Sequence, residues 1–265
     1  MVQEKEHYTF GDSDLAAERL RLLARVFEPG STRLLSSLTP SGGAVALDLG
    51  CGPGHTTRLL AAHSDVSHVI GLDQSPRLLE AAAREQADPR LSFALCDVTS
   101  PPFPAPRASV LYSRFLLTHL RNPTEVVRAW ASTAVAGARL VLEETASMTA
   151  EHAALRRYYA LVERMQAHYG QRMYVGRELA ALGIAAAPEW RIERSETAVS
   201  SLPATHMARL HLLNLQTLSQ DAFVRENFDA RELAELSAEL ARIASGAVCA
   251  APVSLGMGQL VLRRS

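Results

Sequence analysis

The sequence predicts an α/β fold in which a mostly parallel sheet carries helices on both faces, and three observations predict it. Short apolar runs recur along the first half of the chain, at residues 44–49, 68–73, 91–96, 108–113 and 138–144. Stretches with helical periodicity lie between most of them. The first run ends directly in Gly50-Cys-Gly-Pro-Gly54. Strands this apolar are buried on both faces, which in strand–helix alternation means a parallel sheet between helical layers.

The elements follow in order. Residues 12–28 read as an amphipathic helix opened by Asp12 or Ser13, with Leu15, Leu22, Leu23 and Val26 on one face and Pro29-Gly30 closing it. Ser31 is then expected to cap a second, short helix through Leu38. A helix through Leu59, Leu60 and Ala61 follows the glycine turn, and another starts near Pro76, a position that suits proline. A helix is expected over 123–136. Beyond Glu144 the alternation loosens: helical stretches at 149–170, 176–183 and 204–245 flank a strand near 189–199, and Val253–Leu262 reads as the last strand.

Composition narrows the class. The chain has 265 residues, 48% of them apolar and 21% charged, with a formal net charge of −1, which excludes a disordered chain and a broadly basic nucleic-acid binder. All 27 basic residues but Lys5 are arginine, dispersed among 28 acids, a pattern of codon usage rather than of RNA binding. Residues 1–7 are charged where a signal peptide would be apolar, and the longest apolar run, Ala134–Leu142, contains Arg139. Cys51, Cys96 and Cys249 are odd in number and far apart. The expectation is a soluble cytoplasmic protein with no membrane or nucleic-acid partner. Its oligomeric state is open, a homodimer being the arrangement considered. One domain, 1–265, is expected: N-terminal helices over 12–38, a core over 40–145, and helical insertions at about 149–172 and 203–246.

The sharpest local signal is Asp48-Leu-Gly50-Cys-Gly52-Pro-Gly54 at the end of a buried strand. Glycines there let the backbone turn tightly and let a ligand lie against it. The spacing is GxGxG, where a dinucleotide fingerprint has GxGxxG and cradles a pyrophosphate. An acid two residues ahead of the first glycine would repel a pyrophosphate and favours a ligand with a cationic part. Asp73 ends the second strand, where a carboxylate can accept both hydroxyls of a ribose. It could instead cap the next helix, but Ser75 can do that. Asp97 follows the third strand, where it could accept from an adenine amino group or be a solvated turn residue.

These residues, with Cys96-Asp97 and Leu116-Leu-Thr-His119-Leu-Arg-Asn-Pro123, resemble the class I S-adenosylmethionine-dependent methyltransferases of the small-molecule branch, over about residues 40–145. The resemblance implies a Rossmann-like, seven-stranded sheet with its last strand antiparallel. It implies S-adenosylmethionine as cofactor, S-adenosylhomocysteine as product and no metal. The implied cofactor contacts are Asp48, Gly50, Cys51, Gly52 and Gly54 at the loop, Asp73 and Gln74 at the ribose, Asp97 and Val98 at the adenine, and Ser113 and Arg114 nearby. A departure from the family stands out. The last two strands are usually a tight hairpin, whereas here residues 200–252 separate them, predicting a helical cap at the sheet's carboxyl edge.

Other residues carry two readings each. Arg19 falls in the middle of the apolar stripe, either snorkelling to water or pairing with the cofactor's carboxylate. Tyr8 and Phe10, just before this helix, could close over the cofactor. His119 could take a proton from an acceptor or be structural. Glu143 and Glu144 point to opposite sides of a strand, and Glu144 is the one expected to face the acceptor. His206 and His211 do not share a helix face, and no metal-ligand spacing appears. The function expected is methylation of a small organic molecule in specialised metabolism. The alternative is the same fold using bound cofactor for non-methylating chemistry such as cyclisation.

Overall fold

The computed structural model describes residues 14–38 and 43–265. Seven strands form one sheet: β1 (Gly43–Leu49), β2 (Val66–Asp73), β3 (Leu91–Leu95), β4 (Ala108–Arg114), β5 (Ala134–Thr149), β6 (Trp190–Leu202) and β7 (Val253–Arg264). Their order is β3-β2-β1-β4-β5-β7-β6. The first five pair in parallel, and β7 runs antiparallel to both β5 and β6. The sheet is therefore Rossmann-like, as expected. The order reverses at β1, so the crevice beside its carboxyl end is where an open α/β sheet binds ligands.

Single strands feed two cores, as the period of two requires. Leu47, Leu111, Leu140, Leu142 and Leu262 face one side with Trp130 and Trp190. Ala46, Val110, Tyr112, Val141 and Val261 face the other, against Leu34, Leu35, Leu59 and Leu60. The covering helices are α1 (Asp14–Ser37), α2 (His55–His63), α3 (Pro76–Arg84), α4 (Pro123–Ala129) and α6 (Leu179–Ala185). A third core is helix on helix. It joins α5 (Ala153–His168), α7 (Ala204–Leu218), α8 (Ala222–Asn227) and α9 (Ala230–Ala244).

Three boundaries differ from the sequence reading, each for a tertiary reason. The two short helices expected on either side of Pro29-Gly30 are one continuous helix, α1. An interior proline costs about 3 kcal/mol, but both flanks are anchored, Phe27 against Leu255 and Met257, and Leu34 and Leu35 beneath the sheet. The helix expected over 123–136 ends at Ala129 and passes through a 3-10 turn, Trp130–Thr133, because Ala134 already pairs with Ala108. Strand β5 runs past 144 to Thr149, because β7 pairs with it from Arg139↔Arg263 to Thr149↔Ser254.

These extended ends carry the helical elements that set the site. α5 starts soon after β5 ends, and α7–α9 occupy the segment between β6 and β7. No helix among the described residues is long and apolar enough to cross a membrane.

Candidate active site

The glycine turn is built by local necessity. Gly50, Gly52 and Gly54 all have left-handed φ, at 75°, 52° and 77°, a region that side chains with a Cβ enter only at a cost. The amides of Gly50 and Cys51 both donate to Leu72 O, at 2.9 and 3.0 Å, which ties the turn to the end of β2. A Cβ on Gly54 would stand 2.8 Å from the Phe93 ring. On Gly52 it would meet only Leu20 Cδ1, at 3.8 Å. Gly54 is thus needed for packing, whereas Gly52 keeps a ligand-facing surface low.

Asp73 organises the same turn. Its Oδ2 accepts from the Gly52 amide at 2.8 Å and its Oδ1 from the Ser75 amide at 2.9 Å. Ser75 caps α3, its Oγ accepting from the Leu78 amide at 3.3 Å. Asp97 is exposed, and its Oδ1 accepts from the amide and hydroxyl of Thr99, at 2.9 and 2.7 Å. Beside it, Val98 is buried and its carbonyl accepts from Trp130 Nε1 at 2.7 Å.

A cavity of about 800 Å³ opens at this edge of the sheet. That is toward the upper end of the range for small-molecule sites, about 300–1,000 Å³. Gly50, Cys51, Gly52, Asp73, Gln74, Asp97, Val98 and Arg114 line it, as does Arg19, which is only 5% exposed. Burial to this degree does not carry the Arg19 head out to bulk water as snorkelling would. Arg114 donates to Ser31 Oγ at 2.9 Å, and its guanidinium stands 5.6 Å over the Phe115 ring. His119, on a 3-10 turn (Leu117–His119), lies on the wall and is buried.

Several expected contacts belong to the supporting structure instead. Asp48 does not line the cavity; its Oδ2 accepts from Thr56 and Thr57, at 2.6 and 2.7 Å, fastening β1 to the start of α2. Burial pushes its carboxyl up to about 6, against the pull of the two hydroxyls. Ser113 is fully buried and donates to Leu49 O at 3.2 Å. Gly54 packs on Phe93, away from the lining. Glu144 does not reach the acceptor space. Its Oε1 accepts from the Leu117 amide at 2.6 Å, holding the turn that carries His119, and burial raises the carboxyl to about 8. Its neighbour Glu143 turns the other way, accepting from Tyr112 Oη at 2.5 Å and Gln259 Nε2 at 2.8 Å. Tyr8 and Phe10 lie outside the described residues.

The opposite wall comes from α5 and α7. Tyr158, Val162 and Gln166 recur every fourth residue on α5, and Met207, Leu210, His211 and Asn214 fall at i, i+3, i+4, i+7 on α7. Gln166, His211 and Asn214 went unassigned in the sequence reading. Polar side chains within an otherwise apolar stripe were the signal that marks them. Asn214 Nδ2 donates to Tyr158 Oη at 2.7 Å, and the His211 ring stacks on Tyr158 with centroids 4.1 Å apart. Burial lowers His211 to about 3, so its imidazole is neutral. Among the described residues no group of three or more His, Cys, Asp or Glu is placed to hold a metal.

The strand order, the glycine turn at the switch point and the acid after the second strand define a class I methyltransferase fold. Residues 46–137 match the family described as "Methyltransferase domain". Two curated relatives are trans-aconitate 2-methyltransferases. The one from Methylobacterium radiotolerans is 45% identical over 28% of this chain and 29% of its own length. The one from Methylobacterium nodulans is 30% identical over 48% of each chain. The chain thus spans half or less of the curated relatives it matches. Among solved structures, the cyclopropane synthase MmaA2 from Mycobacterium tuberculosis aligns over 95% of this chain and 94% of its own, with a TM-score of 0.55 at 17% identity. The [4+2]-cyclase SpnF aligns over 98% and 84%, with a TM-score of 0.52 at 19% identity. Likeness at that identity is likeness of fold.

Proposed function

We propose that the protein transfers a methyl group from S-adenosylmethionine to a small organic acceptor, as an enzyme of specialised metabolism. The observation that carries this reading is one cavity shared by two walls. On one side stand the glycine turn, Asp73 and Asp97; on the other stand the apolar faces of α5 and α7. The residues present suit the cofactor. The low surface at Gly52 leaves room against the backbone, Asp73 stands at the end of β2 where a carboxylate can meet ribose hydroxyls, Asp97 and Val98 flank the adenine position, and Arg19 offers a planar cation for a carboxylate. When bound, the cofactor supplies an electrophilic methyl group on a sulfonium. The chain's own contribution is chiefly positioning: holding two molecules in line in a confined space accounts for much of the rate. The α5–α7 wall screens the reacting centre from water on its side of the cavity. His119, held at the cavity by the Glu144-anchored turn, accepts a proton where the acceptor arrives protonated.

The trans-aconitate activity of the curated relatives from Methylobacterium radiotolerans and Methylobacterium nodulans is a specific candidate for the reaction. Calorimetry with S-adenosylmethionine and with NADH tests the cofactor half; tight NADH binding with none for S-adenosylmethionine would end the reading. A labelled-methyl screen against small metabolites, scored by S-adenosylhomocysteine formation, tests transfer.

A further inference from the structure

Among the described residues, Phe115 at the exit of β4 is the only one other than glycine with a left-handed backbone, at φ 57°. A side chain enters that region only at a cost, and such residues gather at functional sites. What the conformation achieves is visible on the sheet. Tyr112 and Arg114 point to the α1 face, Tyr112 packing with Leu34 and Leu35 and Arg114 donating to Ser31 Oγ at 2.9 Å. Were the strand to continue, Phe115 would point to the opposite face. Instead its ring meets Phe27 of α1 edge-on, with centroids 4.9 Å apart, and lies 5.6 Å from the Arg114 guanidinium. Its amide donates to Glu143 O at 3.0 Å, which pins the turn to β5. The strained residue thus sets a cation and an aromatic ring side by side on the cavity wall.

Arg114 is a cation without a counter-ion. Ser31 and the Phe115 ring are both neutral, and no carboxylate lies within ion-pair distance of the guanidinium among the described residues. Its planar fork keeps donors to spare and suits a carboxylate. The cofactor's carboxylate is already served by Arg19, and the two cations stand apart. Arg19 and Ser31 are twelve residues apart on α1, about 18 Å of helix. Burial raises both the Tyr158 phenol on α5 and the Asp48 carboxyl on β1; the cation opposing it is Arg19 at the first and Arg114 at the second. One carboxylate cannot reach both. The other charges described on the lining are the acids Asp73 and Asp97, and burial lowers His55 to about 4 and His211 to about 3, leaving both imidazoles neutral. With His119 read as a proton acceptor, a single positive charge remains for the acceptor molecule.

We infer that Arg114 binds the acceptor, and that the acceptor is an apolar molecule carrying one carboxylate, with Ser31 positioning the guanidinium. This rests on the methyltransferase reading and narrows it. The apolar body follows from the surroundings of the pair, where Leu23, Phe27 and Met148 line the cavity and pack in the same group as Phe115. An uncharged molecule would leave the guanidinium unpaired. A tricarboxylate such as trans-aconitate would bring two further charges that no cation among the described lining residues meets.

trans-Cinnamate and trans-cinnamamide share one shape and differ in charge. They and trans-aconitate are titrated calorimetrically into the full chain saturated with S-adenosylhomocysteine. We expect cinnamate to bind roughly tenfold or more tightly than the other two, the worth of a charged contact. Arg114→Met keeps the stem beside Phe115 and should erase most of that preference, leaving the affinities for cinnamamide and S-adenosylhomocysteine unchanged. Ser31→Ala removes only the hydroxyl that holds the guanidinium and should lower the preference about threefold, with the same two affinities unchanged. It carries the test should Arg114→Met fold poorly. The inference is overturned if cinnamamide or trans-aconitate binds as tightly as cinnamate, if cinnamate does not bind, or if both variants keep the preference. It is overturned equally if Arg114→Met costs S-adenosylhomocysteine affinity and spares the preference, which would put Arg114 on the cofactor. Failure of the wild type to bind S-adenosylhomocysteine would instead overturn the methyltransferase reading, and the substrate class with it.

Discussion

At the glycine-turn side of the cavity Asp48 is held by Thr56 and Thr57, and Asp73 by the amides of Gly52 and Ser75. On the α5–α7 side, Gln166 Oε1, His211 Nδ1 and Asn214 Oδ1 are buried with no partner among the described residues. The acids beside the glycine turn have their partners within the fold, and these three atoms have none among the described residues. An unmade hydrogen bond at a buried group costs about 1–3 kcal/mol, so the second wall carries a cost that the first, in its backbone turns, avoids. The first wall can be general to a cofactor, being made of backbone turns and shared carboxylates.

The two walls should respond differently to substitution. The largest effect is expected for His119→Asn, with turnover on an acceptor found in the labelled-methyl screen falling about 10²–10⁴-fold, and cofactor affinity by calorimetry unchanged. Turnover within a few-fold of wild type at every pH would assign His119 to structure. Next comes Asp73→Ala, which removes charge-assisted bonds worth about 1.5–3 kcal/mol and should weaken S-adenosylmethionine binding roughly 10- to 150-fold. An unaltered dissociation constant would mean that Asp73 serves the turn alone. Arg19→Met keeps the buried stem and should cost the cofactor about tenfold, in line with one charged contact, with little change in melting temperature. A matching loss of acceptor binding without loss of cofactor would move Arg19 to the other wall.

The smallest effect concerns pH and separates two buried titratable groups. Glu144 is raised from 4.5 to about 8 by burial, so the folded state holds a proton that the unfolded chain releases. Its contribution is complete below about 4.5 and is lost as pH rises through 8. His211 is lowered from 6.5 to about 3, so its contribution is present above 6.5 and lost as pH falls through 3. Glu144→Gln should therefore flatten the fall in melting temperature between pH 5 and 8.5, and His211→Phe should flatten the rise between pH 3 and 6.5. A Glu144→Gln profile that parallels wild type would show the carboxyl ionised in the fold.

The cavity's first wall was readable from the sequence because its parts are consecutive. A buried strand, three glycines at left-handed φ and an acid at the end of the next strand are local features, and each has a physical requirement that few residues meet. Ser75 beside Pro76 was readable as a cap for the same reason. What the polar side chains around the turn actually do was not readable, because their partners are set by packing. Asp48 turned out to serve Thr56 and Thr57, Ser113 to serve Leu49 O, and Glu144 to hold the Leu117 amide, so none of the three lines the cavity.

By itself, then, the sequence determined the α/β alternation and the site of the glycine turn, since backbone conformation and apolar periodicity act over a few residues. Only the tertiary structure decided the rest. Helix α1 runs through Pro29 because both flanks are buried, β5 reaches Thr149 because β7 pairs with it, and Gln166 faces His211 and Asn214 because α5 and α7 pack into one core. Those outcomes depend on contacts between segments far apart in the chain, whose energies no local pattern records.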